Sequence, residues 1–157
     1  MGVFPFINFK LKNMKKISLF FVMLTILASI TFAQNSIVGK LENGKPYLTI
    51  NEITALSELN AFLKTNSSLN ANLDKLTIIE KEQGRFILLA TGTEYKSSIN
   101  LIINANKSLE VESTTVCTTK ACSQSSGCEP KPFGQKGCTP CTGDCTKTTS
   151  SSKIFSN

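Results

Sequence analysis

All six cysteines of this 157-residue chain lie between Cys117 and Cys145, in a stretch with almost nothing else to hold a shape. They are Cys117, Cys122, Cys128, Cys138, Cys141 and Cys145, spaced C-x4-C-x5-C-x9-C-x2-C-x3-C. From Cys117 to Lys153 the one large apolar side chain is Phe133; the rest is mainly Thr, Ser, Gly, Lys, Pro and Gln. Such a segment cannot bury enough apolar surface to order itself, so cross-links or a metal must do it. An even cysteine count in an exported chain predicts disulfides, but spacing does not choose among the many connectivities.

The start of the chain predicts that export. Met14-Lys15-Lys16 opens a positively charged region, and Ile17 to Ile30 (ISLFFVMLTILASI) is an apolar run. Thr31-Phe32-Ala33 then places small residues before Gln34. This is the three-part layout of a secretory signal, with cleavage expected between Ala33 and Gln34. The run is shorter than the roughly 20 apolar residues of a permanent membrane helix. No cysteine follows the cleavage point, so a lipid anchor is not expected. Met14 is a better start than Met1, because residues 1–13 fit awkwardly ahead of the signal.

Charge and composition narrow the chemistry. Four of the 17 basic residues (Lys10, Lys12, Lys15, Lys16) precede the apolar run, whereas all 11 acidic residues follow it. The remainder is therefore nearly neutral and shows no basic stripe of the kind a nucleic-acid reader needs. The chain has no His and no Trp. Without His, there is no Ser-His-Asp or Cys-His catalysis and no His-ligated metal.

Between the leader and the cysteines the pattern is that of a small folded domain. Asn43-Gly44 between short apolar stretches predicts a hairpin, because both residues tolerate positive φ. Pro46 suits a strand start or an edge. Asn51, or a Thr49–Glu52 box, can cap a helix in which Ile53, Leu56, Leu59 and Leu63 recur at helical spacing and Phe62 widens the stripe. Lys64 to Ser68 ends that helix. Strands are expected over Leu76–Glu82, Arg85–Thr91, Ser98–Asn104 and Leu109–Glu112. The expected fold is α+β: one helix packed on an antiparallel β-meander, followed by an irregular disulfide-rich segment. If the helix covers one sheet face, then Ile87 and Leu89, or Phe86 and Leu88, point to the other and need a cover. The cysteine-rich lobe is the favoured cover, ahead of a second copy or a ligand.

A helix across an antiparallel meander resembles the cystatin-like and PepSY-like rolls of small exported proteins. The resemblance covers Asn51 to Glu112 and lies in element order. The cystatin Q-x-V-x-G motif has no counterpart in this sequence, so no functional residue is carried over. The closing Gly143-Asp144-Cys145-Thr146-Lys147-Thr148 resembles the Cys/Thr/Ser/Gly-rich ends of small secreted bacterial proteins.

The expected organisation is a leader over 1–33, an α+β domain over 34–115, a cysteine-rich segment over 116–148 and a flexible tail over 149–157, in which Ile154-Phe155 could dock. The six cysteines are the site candidates, as disulfides. Glu80, Glu82, Glu110 and Glu112 alternate along strands as a solvated face does, so no catalytic residue is expected. The reading is a secreted, non-enzymatic binding or structural module of the bacterial cell envelope. It needs no cofactor or metal, no nucleic acid and no membrane after cleavage, and its partner is an unidentified protein or envelope component. The alternatives are an exported thiol–disulfide oxidoreductase, because Cys138-Thr139-Pro140-Cys141 resembles the thioredoxin motif with Cys138 as nucleophile, or a thiolate zinc site on Cys117, Cys122, Cys138 and Cys141.

Overall fold

The computed structural model describes residues 36–156 except 126, 133, 134 and 136, with Gln83 described by its backbone alone. The cleavage point at Ala33 and Gln34, and Phe133, lie outside the described residues.

Strands β1 (Ile37–Glu42) and β2 (Lys45–Leu48) form the hairpin expected at Asn43-Gly44. Both turn residues have positive φ, 51° and 78°, the geometry that matches strand twist in a two-residue loop. Helix α1 (Glu52–Ser67) follows. Asn51 caps it, its side-chain oxygen accepting from the Thr54 amide at 3.0 Å. Ser68, at φ 58°, ends it by returning its amide to the last turn. The buried face of α1 is Ala55, Leu56, Leu59, Phe62 and Leu63. Ile53 does not belong to that face: it is 80% exposed. At about 100° per residue it lies about 120° around the helix from Leu59.

The meander is β3 (Leu73–Lys81), β4 (Arg85–Gly92), β5 (Lys96–Ile103) and β6 (Ser108–Val111). Two further strands, β7 (Val116–Thr119) and β8 (Thr146–Thr148), come from the cysteine-rich region. All eight belong to one antiparallel sheet, with β2-β1-β6-β5-β4-β3 as its main path. β6 pairs with the second half of β5 and β7 with its first half, while β8 pairs with β7.

This corrects the α+β expectation. The described residues are mostly antiparallel β, with one α-helix and a nearly closed, barrel-like sheet. The cause is long-range pairing. β1 does not stay in a separate hairpin but adds to β6, which extends the sheet far enough to curl. β2 then comes close to β3. Gly39 sits at the closure, where a Cβ would collide with Ile78 Cδ1. The C-terminal segment is likewise not wholly irregular, since it supplies β7 and β8.

One apolar core fills the concave side. It joins the α1 face to Val38, Leu76, Phe86, Leu88, Ile99, Leu101, Leu109 and Val116. Polar bonds fix the helix to the sheet. The Asn60 side chain exchanges two hydrogen bonds of 2.9 Å with the Leu73 backbone, and Glu52 accepts from the Leu76 amide at 2.7 Å. Ile154 and Phe155 belong to the same core, so the docking open to the tail takes place.

Candidate functional site

Two surfaces stand out: the disulfide lobe on the convex side of the sheet, and a cleft where the tail meets the helix.

The lobe is held by Cys117–Cys138, Cys122–Cys141 and Cys128–Cys145. The pairing is interleaved: first with fourth, second with fifth, third with sixth. Cys138 and Cys141 are therefore not bonded to each other. Each ties the C-x-P-C turn to a different upstream position, which is the geometry of a staple rather than of a dithiol pair. All six expected cysteines are brought together, and none is free. Among the described residues, no group of three or more His, Cys, Asp or Glu side chains converges as a metal site would.

The lobe covers the face opposite the core. Alternation places Phe86, Leu88 and Ala90 in the core, and turns Arg85, Ile87 and Leu89 outward beside Lys96, Ser98 and Asn100 of β5. Ile87 is fully buried there. The contact is mainly polar, with sheet side chains donating to lobe carbonyls. Ser98 Oγ donates to the Cys128 carbonyl at 3.0 Å, and Asn100 Nδ2 to that of Lys131 at 2.8 Å. The Arg85 guanidinium reaches the Pro130 carbonyl at 3.2 Å, and Lys96 Nζ donates to that of Ser125. Glu129 adds the charge, with Lys81 at 2.8 Å and Arg85 at 3.6 Å. Lys96 is 5% exposed, and burial pushes its ammonium below its usual range, partly offset by the attraction of Glu129. On the exposed side, Lys120 is hydrogen-bonded to Glu94, which raises its pKa.

The cleft has a volume of about 430 Å³ and lies between the start of β1, the turn into α1 and the end of the tail. Ile37, Ile50, Ala55 and Phe155 give it apolar walls, and Thr49, Asn51, Thr54, Glu58 and Ser156 line the rest. Glu58 is the one ionisable residue among these. Its carboxylate accepts from the Ser156 hydroxyl and, at 3.3 Å, from the Ser156 amide. Ser36 Oγ donates to the Phe155 carbonyl at 2.8 Å. Ile53, on the first turn of α1 between Asn51 and Thr54, extends an apolar side chain into solvent.

Sequence reasoning missed Ser36, Glu58, Lys96 and Glu129. Lys96, Ser98 and Asn100 did carry a signal, because they alternate with Ser97, Ile99 and Leu101. A polar period reads the same whether water or a carbonyl-rich lobe lies above it. Ser36 and Glu58 had no local signal, since their partners are 119 and 98 residues away.

No helix among the described residues is long and apolar enough to cross a membrane. Three disulfides fit an oxidising compartment outside the cytoplasm. Comparison with models of protein families, with curated proteins and with solved structures finds no match to this chain.

Proposed function

We propose that this protein is a secreted, non-enzymatic binding module that works in the periplasm or beyond the cell and takes its partner in the cleft between α1 and the tail. The observation that carries the reading is the cleft itself. It is a concave site with apolar walls and a few convergent polar groups, as ligand sites commonly are. Glu58 gives the site a single negative charge, so the chemistry it favours is an apolar group with a cationic or N–H donor end. The disulfides support a place outside the cytoplasm, and the Met14 to Ala33 signal supports the route there. A bacterial envelope protein or component is the proposed class of partner.

The test uses two baits against the extracytoplasmic fraction of the producing cell: the exported protein, and the same protein with Thr54→Trp, which fills the cleft from an exposed helix position. The expected result is a component retained by the first and lost from the second. Identical recoveries from both baits would refute the reading.

A further inference from the structure

We propose that the Ile154-Phe155 tail is exchangeable, and that its seat accepts the same tail from a second copy of this chain. The argument begins where the covalent staples end. The last bridge closes at Cys145, and β8 is finished by Thr148. From Thr149 to Lys153 the chain is Thr, Ser, Ser, Ser and Lys, with neither helix nor strand. Then come Ile154 and Phe155, 6% and 2% exposed. The tail is thus an apolar plug on a polar, irregular tether.

The tether holds itself in a turn. Ser150 Oγ pairs with Ser152 Oγ at 2.7 Å and accepts from the Ser152 amide at 3.1 Å, while Thr114 donates to the Ser150 carbonyl. Opening that serine turn would carry the plug away from its own barrel without breaking a strand. The seat has its own supports. Ser36 adjoins β1, Glu58 lies on α1, and α1 is fixed to β3 through Asn60 and Glu52. The plug is gripped through groups any copy would bring: two apolar side chains, the Phe155 carbonyl on Ser36, and Ser156 on Glu58. A second copy's tail makes the same contacts, so exchange gains or loses nothing in the seat itself. What opposes it is the tether, which gives the chain's own tail an effective concentration on the order of millimolar. Exchange therefore grows as the protein approaches that concentration, and it dominates once the tether cannot turn back.

The inference does not depend on what the cleft binds. The exported protein, isotopically light and heavy, is mixed at low and at near-millimolar concentration and examined by native mass spectrometry. Mixed dimers that rise with concentration, and that a synthetic Ser-Ser-Lys-Ile-Phe-Ser-Asn peptide disperses, are expected. A second variant deletes residues 150–152, which leaves plug and seat intact but removes the turn. It is expected to be a dimer at concentrations where the parent is a monomer. A parent that stays monomeric throughout, dimers that the peptide leaves unchanged, or a shortened chain that is monomeric would each overturn the proposal.

Discussion

Replacing Phe155 with alanine tests whether the C-terminal tail is part of the fold or an ornament on it. Phe155 is 2% exposed and shares the core with Val38, Leu59 and Leu63, which carry the helix and β1. Truncating a phenylalanine in such a place removes its transfer free energy and leaves a cavity, a loss of about 3–5 kcal/mol when the surroundings cannot collapse. A tail has an escape that a central strand lacks. It can undock before the barrel melts, and the mutation then costs no more than the docking free energy. Undocking leaves α1 held to β3 by Asn60 and Glu52 but uncovers the core beneath it, so the tail's docking free energy adds to the stability of the whole barrel. The expected cost is therefore about 3 kcal/mol, near the lower end of that range, against a total stability of about 5–15 kcal/mol for a domain of this kind. The melting temperature should fall by roughly 10 °C. The chain lacks Trp, so calorimetry in non-reducing buffer, with all bridges intact, is the suitable assay. One transition, shifted by that amount, is the expected result. A loss below about 0.5 kcal/mol, the range of ordinary surface substitutions, would refute the coupling argued here.

Two further predictions concern buried polar groups. Thr148 is 1% exposed, and its hydroxyl finds no hydrogen-bond partner among the described residues. Thr148→Val keeps the branched shape that suits β8 and removes an unsatisfied group, so it should raise stability by about 1 kcal/mol; a lower melting temperature would show that the hydroxyl is partnered. Burial lowers the pKa of Lys96 below 10.5, so over the pH range between its folded and unfolded values the unfolded chain holds the extra proton, and stability rises with pH there. In denaturant titrations Lys96→Met should lose that alkaline rise, and an unchanged slope would mean that the ammonium is not penalised in the fold.

Much of the fold was legible because it is local. Asn43-Gly44 predicts its hairpin through backbone sterics alone, and Asn51 with the Leu56, Leu59, Phe62 and Leu63 period predicts the helix. The meander followed from alternation. What was not legible is non-local. Periodicity says which residues share a face, but not that β1, while still paired with β2, will also pair with β6 some 70 residues later. Val-Cys-Thr-Thr and Thr-Lys-Thr are too short and too polar to read as strands by themselves, yet beside an open stretch of β5 they complete a ladder. Ile53 was misread because its spacing to Leu56 is helical, while the centre of the buried face lies further round. The disulfide partners were beyond reach for the same reason, since pairing follows from three-dimensional placement and six thiols carry no local mark of it.

The meeting of lobe and sheet follows from what each lacks. A chain poor in large apolar residues and broken by Gly and Pro satisfies only part of its own carbonyls by backbone pairing, yet a buried carbonyl must find a donor. The convex face of β4 and β5 supplies them from side chains: Arg85 to Pro130, Lys96 to Ser125, Ser98 to Cys128 and Asn100 to Lys131. Because the acceptors are backbone atoms, the seam depends little on the identity of the lobe's side chains once the bridges hold its path. It depends closely on the sheet's donors. The two halves thus carry different constraints. In the lobe the cysteines and Glu129 fix the geometry together with Gly127 and Gly143, where a Cβ would collide with the Pro140 carbonyl and with Ala121. In the barrel, a polar run that resembles a solvated strand face is fixed residue by residue, because each of its members completes a hydrogen bond that the lobe cannot make alone.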